Sequence, residues 1–238
     1  MPWTERQQAM LRAIGLRVWS APVADSPAPA PRPPAVATGD DRPAQIARLD
    51  WPALREHVAA CRACGLCEGR RQTVFGVGGT QAQWLVVGEA PGEQEDRLGE
   101  PFVGPAGKLL DQMLAALGLT RDEAEPDPAR QAYIANTLKC RPPNNRNPAP
   151  DELVQCEPYL IRQIELLQPR IILAMGRFAV QALLRSDEAI GRLRGRVHRY
   201  QGVPLVVTYH PAYLLRNLTD KARAWEDLCL AAATAEGA

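Results

Sequence analysis

Four short apolar runs, separated by stretches of helical periodicity, constrain the fold of this chain more than any other feature. WLVV (84–87), AYIAN (132–136), RIILAMG (170–176) and PLVVTYH (204–210) have the length and the unbroken apolarity of buried strands. Between them lie helical stretches at 105–118, 150–167 and 177–185. The first has Pro105 near its start and Gly118 at its end; the second has Asp151 as a candidate N-cap or first-turn acid. A last helix begins near Asp220. Strands joined through helices imply right-handed crossovers and a parallel sheet covered on both faces. The predicted fold class is therefore α/β, a three-layer α/β/α sandwich around a central, mainly parallel four-stranded sheet. Sites in such sheets form at the carboxyl ends of the strands. Here those ends carry the polar loops GEAPGEQED, NTLKCRPPNNRNP and YHPAYLLRN.

The rest of the chain divides by composition. Residues 21–48 are rich in Pro and Ala, cannot bury enough apolar surface to fold, and read as a disordered linker. They separate a short amphipathic helical segment, 1–20, from a main domain at 49–238. The N-terminal segment is a candidate contact for a protein partner. Arg12 and Arg17 interrupt its apolar patch from Leu11 to Trp19, which does not read as a signal peptide. No run approaches the roughly 18 uncharged apolar residues of a membrane span. The expectation is a cytoplasmic monomer without membrane contact.

Six cysteines in a reducing compartment point to metal or chemistry rather than to cross-links. Cys61 and Cys64 form a C-x2-C pair, Cys67 follows, and Cys140 and Cys156 lie far downstream. Two local and two distant thiolates can surround one centre, either tetrahedral zinc or a cubane iron–sulfur cluster, and spacing does not separate the two. Cys61 and Cys64 are the expected local pair and Cys67 a bystander or spare. Cys229, in the apolar run of the last helix, is expected in the core.

The net charge of +1 announces no polyanionic partner. Between Ile161 and Arg223, however, eleven Lys or Arg face four acids, an excess of seven positive charges. A phosphate backbone or a solvated basic face both fit that excess. The loops are more informative. Glu89 to Asp96 follows a strand directly and combines glycines, which allow close backbone approach, with carboxylates. Phe102 stands in a Pro/Gly loop and could stack on a base. Asn136 ends a strand with an amide able to pair bidentately. His210 heads a loop whose Tyr213, Leu214, Leu215 and Arg216 could probe a base stack. His57 and His198 read as surface residues.

Taken together, GEAPGEQED, GEPFVGPAGKLLD, NTLKCRPPNNR and YHPAYLLRN resemble the signature segments of the iron–sulfur (family 4) uracil-DNA glycosylases, and CRACGLCEGRR resembles that family's first cysteine segment. The resemblance runs from about residue 52 to 232. It implies a 4Fe–4S cluster of structural role held by Cys61, Cys64, Cys140 and Cys156. It implies release of uracil from single- or double-stranded DNA, leaving an abasic site, and a nucleoid-associated location. His210 would contact uracil O2, Asn136 would read the base edge, and Phe102 would stack on the ring. Glu89, Ala90 and Pro91 would wall the pocket, and Glu95 and Asn145 would support it as a candidate pair. The better-known uracil glycosylases place a water-activating aspartate where Ala90 stands and a thymine-excluding tyrosine where Gly92 stands, so neither role carries over. Glu89 is the candidate for positioning water. The competing expectation is a non-catalytic DNA-binding accessory protein with a structural metal or cluster.

Overall fold

The computed structural model describes residues 42–237. The expected helix at 1–20 and most of the 21–48 segment lie outside the described residues.

The central sheet has five strands: β1 (Trp84–Gly88), β2 (Ala132–Asn136), β3 (Ile171–Met175), β4 (Val197–Tyr200) and β5 (Val203–Thr208), in the order β2-β1-β3-β5-β4. The first three and β5 run parallel, and β4 pairs antiparallel with β5. The expected count of four is corrected by that edge strand. Its sequence, VHRY, carries no apolar run because only Tyr200 is buried. The parallel strands are buried on both faces over most of their length, which is why they read as unbroken apolar runs.

Two helical layers cover the sheet. On one face α6 (Pro150–Leu167) and α7 (Arg177–Leu184) pack Leu160, Ile164, Val180 and Leu183 against Leu85, Val87, Ile172 and Val207. On the other, α5 (Pro105–Ala116) and α10 (Lys221–Glu236) pack Leu110, Leu114, Leu228 and Ala231 against Val86, Ile134, Leu173 and Val206. Successive strand residues thus feed opposite cores, as the pleat requires. Helix α6 spans the residues expected from its periodicity. Asp151 lies in its first turn; the capping is done by Glu152, whose carboxylate accepts from the N–H of Ala149 at 2.8 Å. Helix α5 stops at Ala116, two residues before the left-handed Gly118.

A third apolar cluster lies outside the three layers. Helices α1 (Arg42–Ile46), α2 (Trp51–Ala59) and α3 (Leu66–Gly69) bring Ile46, Leu54, Val58 and Leu66 onto Leu138, Cys140, Cys156 and Tyr159. Ile46, three residues ahead of the expected boundary at 49, is fully buried in this cluster. His57 is only partly exposed and hydrogen-bonds the Tyr159 hydroxyl at 2.9 Å. Helix α4 (Glu93–Leu98) occupies what the sequence suggested as loop, its residues too polar to carry a periodic signal. The remaining short helices are α8 (Ile190–Leu193) and α9 (Pro211–Leu214).

Candidate active site

The carboxyl ends of β1, β2 and β5 converge on one cavity of about 290 Å³. Glu89, Ala90, Pro91, Glu95, Phe102, Asn136, Asn145 and His210 all line it, so the structure brings together every pocket residue singled out from the sequence. None of these segments is adjacent in sequence; the parallel sheet gathers them because each crossover returns the chain in the same direction.

Phe102 is the most constrained of them. It holds a left-handed backbone, φ 56°, which a bulky side chain adopts at a cost of about 1–3 kcal/mol. The surroundings enforce it. The Glu95 carboxylate accepts from the N–H of Val103 at 3.1 Å, and Arg121, itself paired with Asp111, donates to the carbonyl of Pro101 at 2.9 Å. Gly107 of α5 lies under the Phe102 carbonyl, where a Cβ would come within 1.6 Å of the oxygen. Gly88 completes the floor: a Cβ there would meet the Asn136 amide oxygen at 2.4 Å and the Phe102 ring at 2.6 Å. The Phe102 and His210 rings lie nearly parallel, 24° apart with centroids 5.4 Å apart.

His210 caps α9, its Nδ1 accepting the N–H of Ala212 at 3.1 Å. An accepting Nδ1 places the proton of a neutral ring on Nε2. Burial, helped by Arg216, lowers its pKa to about 4, against a weaker opposing pull from Glu95. The ring is thus neutral across the physiological range and offers one N–H donor. Asn136 is buried at the end of β2, and among the described residues no protein group hydrogen-bonds its amide. Glu89 is pushed up to about 7 by burial alone. Its main-chain carbonyl accepts from the Thr137 hydroxyl at 2.6 Å and the Leu138 N–H at 3.1 Å, which ties the ends of β1 and β2 together.

Glu95 and Asn145 do not pair. Glu95 is consumed by the main chain, bonding Gly92 as well as Val103. The Asn145 side-chain oxygen accepts from Arg141 Nε at 2.8 Å, which leaves its NH2 group available. Asn144 and Asn145 both have left-handed backbones, φ 54° and 52°, a second concentration of strain at the rim.

Behind the pocket the cysteines gather. Cys61, Cys64, Cys67, Cys140 and Cys156 line one small cavity with Arg70, Lys139 and Tyr159. Arg70 donates to Cys140 Sγ at 3.0 Å, Arg42 approaches Cys61 Sγ at 3.7 Å, and the Lys139 N–H points at Cys156 Sγ at 3.4 Å. Burial raises Cys61, but Tyr159, the Ala63 main chain and Arg42 outweigh it and leave that thiol below its ordinary value. Burial pushes Cys156 up to about 12. Cys229 is exposed on α10 and belongs neither to this group nor to the core where it was expected.

The chain from 136 to 140 joins the two regions. Lys139 is fully buried, and its ammonium donates to the Asn136 carbonyl at 2.9 Å and to Gln163 Oε1 at 2.7 Å. Burial lowers it to about 8.

A family model described as the uracil DNA glycosylase superfamily matches residues 75–230. The chain belongs to this superfamily. Within it the chain is similar to Type-4 uracil-DNA glycosylases: 43% identical to that of Archaeoglobus fulgidus over 166 residues, 66% of this chain and 79% of that protein. It is 43% identical to that of Sulfurisphaera tokodaii over 173 residues, covering 69% and 75% of the two chains. With that of Pyrobaculum aerophilum it shares 40% over 192 residues, covering 76% and 93%. Membership in the glycosylase superfamily agrees with the family expected from the loop motifs.

What this glycosylase-superfamily chain conceals from sequence reading is the support. Arg121 and Gln163 lie outside every motif, Gly107 and Lys139 lie inside two of them with nothing to mark their role, and only the contacts described above reveal what the four do. A lysine between an apolar residue and a cysteine, Leu138-Lys139-Cys140, was the one available sign of an inward-facing charge.

Proposed function

We propose that this chain flips uracil out of DNA and hydrolyses its N-glycosidic bond, releasing free uracil and leaving an abasic site. One observation carries the reading: a neutral histidine with a free Nε2–H, an unpaired Asn amide and a Phe ring face one base-sized cavity at the strand ends. Extrusion of the base costs a few kcal/mol and is repaid by pairing and stacking in the pocket. The Phe102 ring stacks on uracil. The Asn136 NH2 donates to O4 and its side-chain oxygen accepts from N3–H. As the bond from N1 to C1′ breaks, its electron pair passes into the ring and charge grows on O2. His210 donates its Nε2–H there and stays neutral throughout. A water attacks the electron-poor C1′ and its proton passes to the Glu89 carboxylate. The test is incubation of the protein with uracil-containing DNA: free uracil is expected, and its absence would remove the reading in favour of a binding-only protein.

Two further results are expected. Ionised Glu89 is the working form, and its pKa lies at about 7. The rate should therefore rise with pH through about 7 and fall roughly tenfold per unit below it. His210, already neutral above about 4, adds no limb of its own. A flat profile from pH 5 to 8, or one whose acid limb survives in Glu89→Gln, would show that another group takes the proton. The second concerns discrimination. Asn136→Asp replaces an NH2 donor by a carboxylate oxygen, which suits the amino group of cytosine instead of uracil O4. The preference for uracil over cytosine should fall by about 5- to 150-fold, since a bidentate base contact is worth about 1–3 kcal/mol. An unchanged preference would assign edge recognition elsewhere.

The cysteine group fits a 4Fe–4S cluster held by Cys61, Cys64, Cys140 and Cys156. The cysteines line one cavity, and a cubane would carry each of the four thiolates on its own corner iron. Buried thiols that meet guanidinium and main-chain N–H donors suit a site that must stabilise thiolate sulfur. Bound there, the cluster would tie the segment before α3 to α6 and to the loop after β2. Cys67 lines the same cavity as a spare. The substrate is DNA, and the basic stretch from Ile161 to Arg223 supplies charge suited to its phosphates. No helix among the described residues is long and apolar enough to cross a membrane.

A further inference from the structure

A second cavity, of about 720 Å³, adjoins the first. Glu89, His210 and Ala212 line both. The hydrolysis above uses nothing else in it. Its other walls carry ring faces and cations: Phe178 of α7 and Tyr209 on one hand, Arg177 and Arg216 on the other. The two arginines are exposed, and the Arg177 guanidinium lies 6.0 Å from the centre of the Phe178 ring. Tyr209 stacks on Tyr213 with centroids 5.2 Å apart and planes 18° apart. The Tyr213 hydroxyl donates to Asp220 at 2.7 Å, and Arg223 holds the other oxygen of that carboxylate at 3.0 Å. One wall is therefore fixed before any ligand arrives, which lowers the cost of ordering it. Asp187 lies at the far side, held by the Gln181 amide at 2.9 Å.

A flipped uracil stays tethered through its sugar to both neighbouring phosphates. A neighbouring nucleotide must then lie within one phosphodiester of the uracil pocket, and the cavity with shared walls is where that distance leads. Its volume falls within the roughly 300–1,000 Å³ of sites for ligands of nucleotide size. Aromatic faces beside cations are the combination that holds single strands without reading sequence.

We propose that this cavity binds the nucleotide next to the uracil on the same strand, its base against Phe178 and Tyr209 and its phosphate at Arg177 and Arg216. The proposal rests on the smaller cavity being the uracil site. It makes the enzyme a reader of a dinucleotide in shape, though not in sequence.

The test uses single-stranded oligonucleotides with one uracil, in which the 5′ or the 3′ neighbour is replaced by a base-free tetrahydrofuran residue. Loss of the base on one side should lower kcat/KM by about 5- to 150-fold, the range of base–aromatic stacking, with little change for the other side. Phe178→Ala should lose a similar factor on the complete strand and become indifferent to the missing base, while Phe178→Tyr keeps the wild-type response. Arg177→Gln should lower the slope of log affinity against log salt by about 0.7, one phosphate contact on a single strand. Wild-type protein indifferent to both neighbours would overturn the proposal. So would a Phe178→Ala protein slowed equally on every strand, which marks a packing role. Failure of the wild type to release uracil from any strand would instead remove the glycosylase reading beneath it.

Discussion

Replacing His210 by Ala is expected to slow single-turnover uracil release by about 10²–10³, the usual cost of removing one preorganised donor from a developing anion. Affinity for uracil-containing DNA should change only a few-fold. The split follows from the geometry. The ring is neutral and its Nδ1 is occupied by Ala212, so its one free polar group is the Nε2–H. In the proposed reaction that donor would face an ordinary carbonyl in the bound state and an oxyanion in the transition state, and so would matter mainly to the second. The backbone N–H of Ala212 loses its acceptor in the variant, a loss of about 1 kcal/mol at a helix start and too small to mimic the kinetic effect. Single-turnover rates and equilibrium binding on the same oligonucleotide decide the matter. Equal losses in rate and affinity would make His210 a binding residue.

Cys140→Ser or Cys156→Ser should abolish the broad visible absorbance and the bound iron of protein purified without oxygen. Each should also lower Tm by roughly 8–16 °C, taking about 4 kcal/mol for a lost metal constraint and about 2–4 °C per kcal/mol for a domain of this size. Cys140 follows β2, Cys156 lies on α6 and the near pair precedes α3, so a cluster held by the four would cross-link three segments that also meet in one apolar cluster. Uracil release should fall as well, because Asn136 and Cys140 belong to one five-residue segment. Cys67→Ser is the control and should keep both absorbance and Tm. Stoichiometric zinc in place of iron in the wild-type protein would overturn the cluster assignment while leaving the shared site intact.

The three strands whose ends form the pocket, and the long helices that cover the sheet, were legible because burial on both faces, or on one helical stripe, writes itself as apolar pattern. AYIAN is a strand from end to end, and the periodicity of 150–167 ends where α6 ends. Elements stabilised by other means left no such trace. VHRY pairs at the sheet edge through main-chain bonds and buries only the side chain of Tyr200. Helix α4 is built from EQEDRL and fastened by Glu95 and Asp96 to main-chain N–H groups. The pocket residues were legible through their motifs, but their states were not. That His210 is neutral, that Glu89 holds its proton to about 7, and that Glu95 serves the backbone and not Asn145 all depend on burial and on partners distant in sequence.

For anyone wishing to retarget this pocket to another base, Gly88 and Gly107 mark where not to begin. Both positions abut Phe102 or its carbonyl at distances that no side chain can share. Randomising them would displace Phe102 from the pocket. On the opposite rim Ala90 packs against the third apolar cluster and Pro91 is buried, whereas Asn145 is exposed and is the position to vary while the ring stays in place. The architecture therefore divides its own mutational landscape into a frozen floor and an adjustable lip.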